Sequence, residues 1–123
     1  MDKIALVVDD SMTFRQMVSM ALAEARFKVI EAGNGREALD LLNAGGPRVD
    51  IIISDINMPQ MDGITFVKHA RELPAVRTVP ILMLTTESMK ELRQQAKAAG
   101  ATGWIVKPFN AAQLITVVKD LLP

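Results

Sequence analysis

The chain has 123 residues, 50% of them hydrophobic, and balances 14 Lys and Arg against 14 Asp and Glu. That length predicts one domain spanning 1–123 with a core of its own, and the zero net charge removes the bulk attraction on which nonspecific nucleic-acid binding depends. The absence of cysteine excludes disulfides, thiolate metal sites and thiol nucleophiles, and the first apolar run is too short for a signal-peptide core or a membrane span, which predicts a cytoplasmic protein.

That first run, Ile4-Ala5-Leu6-Val7-Val8, reads as a buried strand ending at Asp9-Asp10. Ser11 is the expected N-cap of a helix whose apolar face is traced by Phe14, Met17, Val18, Ala21, Leu22 and Ala25. Lys28 to Ala32 is the second strand, and the Asn34-Gly35 turn leads into a helix carrying Ala38, Leu41 and Leu42. After a loop at Gly45-Gly46-Pro47, Val49 to Ser54 reads as the third strand, and Asp62-Gly63 opens a helix with Ile64, Val67 and Ala70 on one face. Leu73 to Pro80 reads largely as loop and Val79 to Leu84 as the fourth strand. Ser88 to Ala99 is the most solvent-exposed of the expected helices, with Met89, Leu92 and Ala96 on one side and Lys90, Arg93, Gln94, Gln95 and Lys97 over the rest. Gly103 to Val106 is the last strand, and Leu114, Val117, Val118 and Leu121 mark the closing helix. Methionine is over-represented at 8 residues, and Met17, Met20, Met58, Met61 and Met83 are expected to serve in packing.

Three strands lack polar alternation, the pattern of strands covered on both faces. Strand starts lie roughly 20 to 30 residues apart, the spacing a strand-helix-strand crossover needs. The fold class is therefore α/β, a doubly wound (βα)5 three-layer sandwich around a parallel sheet.

Polar residues stand at the carboxyl ends of the central strands, where open parallel sheets bind their ligands: Asp9 and Asp10 after the first, Asp55 after the third, Thr85 and Thr86 after the fourth, Lys107 after the fifth. Each alone reads equally as a turn acid, a helix N-terminus or a solvated lysine. Together they bring complementary groups to one edge from four loops. Three converging carboxylates repel one another by about 3 kcal/mol per pair at ~5 Å and an effective dielectric of ~20, so a cation must compensate. Lys107 offers one charge; an oxygen-only donor set suits Mg²⁺ for the rest. A carboxylate, a cation, a lysine and a hydroxyl together suit phosphoryl transfer through an aspartyl phosphate. No GxxxxGK[ST] loop is present to hold a nucleotide, so the phosphoryl donor comes from outside.

Four motifs carry a resemblance along the whole chain: Val7-Val8-Asp9-Asp10-Ser11; Ser54-Asp55-Ile56-Asn57-Met58-Pro59-Gln60-Met61-Asp62-Gly63; Leu84-Thr85-Thr86-Glu87; and Val106-Lys107-Pro108-Phe109. In this order they resemble the receiver domain of two-component response regulators, specifically the single-domain chemotaxis regulators of the CheY type. The resemblance implies the flavodoxin-like strand order 2-1-3-4-5, Asp55 as phosphoacceptor, and Mg²⁺ held by Asp9, Asp10, Asp55 and the backbone carbonyl of Asn57. It implies that Thr85 and Lys107 hold the phosphoryl oxygens, that the Lys107-Pro108 peptide is cis, and that Asn57 and Glu87 tune dephosphorylation of a short-lived phosphoryl group. Such a protein is a switch that catalyses only its own phosphorylation and dephosphorylation. Its implied partners are a CheA-like histidine kinase, a flagellar motor switch protein or a histidine phosphotransfer domain, and a phosphatase, with neither nucleic acid nor membrane, and the expected oligomeric state is a monomer.

Thr85, Trp104 and Lys90 are the expected switch and output residues, on the face made by the fourth helix, fifth strand and fifth helix. Trp104 departs from the family's usual Tyr or Phe. It either swings inward with the switch or stays a fixed aromatic, and its indole offers only a donor. His69 is separated from the acidic edge and is not expected to carry phosphoryl. The alternatives are a phosphorelay intermediate or phosphate sink and, more remotely, a flavodoxin-like cofactor protein, against which the acid pair after the first strand argues by repelling a phosphate. An aspartyl-phosphate phosphatase needs a second acid where Asn57 stands.

Overall fold

A computed structural model describes residues 3–43, 45, 48–86 and 90–122. The elements run β1 (Ile4–Val8), α1 (Met12–Glu24), β2 (Lys28–Ala32), α2 (Gly35–Asn43), β3 (Ile51–Asp55), α3 (Gly63–Arg71), a short 3₁₀ turn at Pro74–Val76, β4 (Ile81–Thr85), α4 (Lys90–Ala99), β5 (Gly103–Val106) and α5 (Ala111–Leu121). All strand pairs are parallel, in the expected order β2-β1-β3-β4-β5.

Alternation along the strands divides the core in two. Ala5 and Val7 of β1, Ile51 and Ile53 of β3, and Leu82 and Leu84 of β4 pack with Val18 and Leu22 of α1 and Leu114 and Val118 of α5. Their neighbours Leu6, Val8, Ile52, Ile81 and Met83 face Ala38 of α2, Phe66, Val67 and Ala70 of α3, and Ala96 and Ala99 of α4. Strands buried on both faces need no polar alternation, which is why they are legible as unbroken apolar runs.

Helix starts follow cap chemistry. The Ser11 hydroxyl accepts the Phe14 N–H, the Asp62 carboxylate accepts that of Thr65, and Asn110 and Gln113 form a reciprocal capping box. Two strands begin later than their apolar runs suggest. Asp50 is occupied at the entrance to β3, where its carboxylate accepts the Ile4 N–H, and Pro80 has no N–H to donate at the entrance to β4. Inside the expected loop before β4, residues 74–76 make the 3₁₀ turn. The start of the fourth helix at Ser88, and Gly46 and Pro47 of the expected loop, lie outside the described residues.

The methionine expectation divides. Met58 and Met83 are buried and Met61 packs against the core, but Met17 and Met20 are 50% and 64% exposed. The buried stripe of α1 runs through Val18 and Leu22, and at about 100° per residue Met17 and Met20 are turned well away from it. No described helix is long and apolar enough to cross a membrane.

Candidate functional site

The sheet ladder itself delivers the site residues. Beyond the last strand residues, Asp9 N–H bonds the Ala32 carbonyl at 3.1 Å, Ile56 N–H the Leu84 carbonyl at 3.0 Å, and Lys107 N–H the Thr85 carbonyl at 2.7 Å. Each loop therefore leaves the carboxyl edge of the sheet in register with its neighbour. Gly63 then lets the β3–α3 loop fold back, because a Cβ there would meet the Asp55 carbonyl oxygen and stand 2.8 Å from Ile56 Cα.

Carboxylate oxygens of Asp9, Asp10 and Asp55 all lie within 4.8 Å of one another. Asp9 and Asp55 are buried, at 2% and 5% exposure, while Asp10 is exposed. Burial raises the pKa of Asp9, with the charges of Asp55 and Asp10 adding to the rise; the Ser11 N–H, 2.9 Å from its Oδ1, and the Lys107 charge act against it. Burial likewise raises Asp55, opposed first by the charge of Lys107, then by the Lys107 hydrogen bond and the Asn57 N–H. Lys107 Nζ stands 3.3 Å from Asp55 Oδ1. Thr85 is fully buried and follows Leu84, the register partner of Asp55. The Lys107-Pro108 peptide is cis.

This edge fits a hard divalent cation. Asp9 Oδ2 is buried without a hydrogen-bond partner, an orphaned acceptor beside two further carboxylates, and one ammonium cannot balance three negative charges at such separations. An all-oxygen donor set is what Mg²⁺ takes.

Asn57, in the loop after β3, is exposed but donates its backbone N–H to Asp55. Other expected residues stand farther out: Lys90 is exposed at the start of α4. Trp104 on β5 pairs in register with Met83; its Nε1 is buried without a partner, and the Arg93 guanidinium lies 5.7 Å from its ring centroid. His69 is exposed on α3 and lies 3.6 Å from Glu72. Glu87 lies outside the described residues.

Sequence reasoning missed two neighbours on α1. Arg15 donates from Nη1 to the Asp9 carbonyl at 2.6 Å and from Nε to Glu31 at 2.9 Å, bracing the end of β1 against β2. Phe14 was legible only as part of an apolar helix face, yet its ring centroid lies 3.9 Å from Lys107 Nζ. Helical periodicity says which face points inward, not which polar group the face meets.

Residues 5–119 match the model of the response regulator receiver domain. The chain belongs to this family. The receiver is 40% identical over 110 residues to the chemotaxis protein CheY-3 of Vibrio cholerae, covering 89% of this chain and 83% of that protein. It is 36% identical over 118 residues to the sensor histidine kinase CheAY of Helicobacter pylori, covering 96% of this chain but 15% of that longer protein. Among solved structures, the Vibrio cholerae chemotaxis protein CheY4 superposes with a TM-score of 0.94 at 48% identity, over 99% of this receiver and 100% of that chain. The receiver is thus of the CheY type, and its acidic edge is the Mg²⁺ and phosphorylation site of that type.

Proposed function

We propose that this receiver accepts a phosphoryl group on Asp55 from the phosphohistidine of a CheA-like histidine kinase in the cytoplasm, and then signals by protein contact to a flagellar motor switch. The observation that carries the reading is the convergence of Asp9, Asp10 and Asp55 within 4.8 Å with Lys107 on Asp55.

An Asp55 oxygen attacks the donor's phosphorus, the P–N bond breaks, and the leaving imidazole takes up a proton. The buried position of Asp55 limits competing water. Lys107 and the Thr85 hydroxyl stabilise the charge on the transferred oxygens. Asp9, Asp10, Asp55 and the Asn57 carbonyl would hold Mg²⁺, which would supply the positive charge that an anionic donor needs beside three carboxylates. Asn57 and Glu87 set the access of water to the phosphoryl group and hence its lifetime.

Output is proposed through α4, β5 and α5, and its α4–β5 part is supported by a concavity of about 210 Å³ whose wall includes Arg93, Lys97 and Trp104. Basic rims beside an aromatic suit an acidic partner segment. The reading is tested by mixing the protein with the kinase's phosphorylated histidine domain and following the label. Transfer that needs Mg²⁺ and is lost in Asp55→Ala supports it; a wild-type protein that takes no label overturns it. A phosphorelay intermediate would in addition return the label to a second histidine domain.

A further inference from the structure

We infer that Phe14 is a positioning residue for Lys107, holding the ammonium beside Asp55 through the face of its ring. The inference rests on the reading of Asp55 as phosphoacceptor.

The geometry closes a circuit. Asp9 Oδ1 accepts the Ser11 N–H at 2.9 Å, and the Ser11 hydroxyl accepts the Phe14 N–H at 3.2 Å. The Phe14 ring meets Lys107 Nζ at 3.9 Å from its centroid, and Nζ reaches Asp55 Oδ1 at 3.3 Å. One acid of the cluster therefore sets the start of α1, and the third residue of that helix aims an aromatic face at the lysine paired with the other buried acid. Phe109 braces the arrangement from the β5–α5 loop: its centroid is 5.9 Å from that of Phe14, with the rings at 83°.

A lysine on a four-carbon stem has many rotamers, and its tip is free unless something holds it. Carboxylates alone would not choose one place for it, since three lie close together. The negative face of an aromatic ring adds a second, directional attraction that strengthens as water is excluded, and the Lys107 side chain is only 19% exposed. With the ring on one side and Asp55 on another, the ammonium keeps donors for the oxygens of an arriving phosphoryl group without reorganising. Electrostatic groups placed before the reaction act in this way.

The test replaces Phe14 with phenylalanines carrying progressively more ring fluorines, which keep shape and packing but cancel the negative face. Phe14→Tyr and Phe14→Leu complete the set. Acetyl phosphate with Mg²⁺ is the phosphodonor, thermal melting checks folding, and the ε-methylene proton shifts of Lys107 are read by NMR before any donor is added. In wild type those protons are expected upfield of ordinary lysine because they lie over the ring, and in Phe14→Leu that displacement is lost. The phosphorylation rate is expected to fall stepwise with fluorination, by about threefold to tenfold in total, to fall comparably in Phe14→Leu, and to be kept in Phe14→Tyr. Equal rates across the fluorinated series, or unshifted Lys107 protons in wild type, would overturn the role of Phe14. Failure of the wild type to gain any phosphoryl group would instead count against Asp55 as acceptor, and the proton shifts would still report the ring contact.

Discussion

Replacing Asp9 with asparagine removes one charge from the acidic edge while leaving an oxygen to accept the Ser11 N–H, which bonds Asp9 Oδ1 at 2.9 Å. Asp9 and Asp55 are both buried, with carboxylate oxygens within 4.8 Å, so their repulsion at an effective dielectric of ~20 is about 3 kcal/mol. Repulsion from exposed Asp10 is nearer ~1 kcal/mol at the dielectric of water, and loss of attraction to Lys107 offsets part of the gain. A net stabilisation of roughly 1–3 kcal/mol is expected for the metal-free variant at neutral pH, or roughly 4–12 °C in melting temperature at ~4 °C per kcal/mol. Mg²⁺ narrows the gap: at about ten times its dissociation constant it adds about 1.4 kcal/mol to the wild type and much less to the variant.

The pH dependence follows from the two raised carboxyls. A carboxyl whose pKa is higher folded than unfolded binds protons more tightly when folded, so its contribution to stability rises as pH falls through the raised value and levels off below the ordinary 3.8. The cost is fully present at neutral pH. Metal-free wild type is therefore expected to close the gap to Asp9→Asn on acidification. Melting curves with EDTA and with Mg²⁺, from neutral to acid pH, read all of this. A metal-free Asp9→Asn protein less stable than wild type at neutral pH would refute the account of mutual repulsion.

Gly63→Ala is expected to cost roughly 2–4 kcal/mol in urea unfolding, since its Cβ would stand 2.8 Å from Ile56 Cα and overpacking against backbone cannot relax cheaply. Arg71→Met is expected to destabilise by roughly 2–4 kcal/mol, because the guanidinium donates to the carbonyls of Val76, Val79 and Gly100; hydrogen exchange is expected to rise first in the α4–β5 turn. Lys107→Gln is expected to slow phosphorylation by acetyl phosphate by roughly 10²-fold or more while leaving the protein folded, which rate measurements and circular dichroism together check.

The sheet was legible because β3 and β4 are buried on both faces and write their strands as apolar runs, and the site because Asp9, Asp55, Thr85 and Lys107 each end or directly follow a strand. Boundaries were less legible: at Asp50 and Pro80 the decisive facts are a distant hydrogen bond and a missing N–H. Met17 was misplaced because an apolar residue one position from buried Val18 fits the pattern, yet one step along a helix turns it by about 100°, to a place where it is 50% exposed. Arg15 and Phe14 act through partners 16 and 93 positions away, Glu31 and Lys107, and no local pattern announces such a meeting.

The central claim is that Asp55 itself carries the phosphoryl group. Protein treated with Mg²⁺ and acetyl phosphate, then reduced with borohydride, converts an aspartyl phosphate to homoserine, which peptide mass spectrometry locates. Homoserine at position 55, absent when EDTA replaces Mg²⁺, is the predicted result. Homoserine at position 9 or 10 instead, or a phosphoryl group found on His69, would contradict the account.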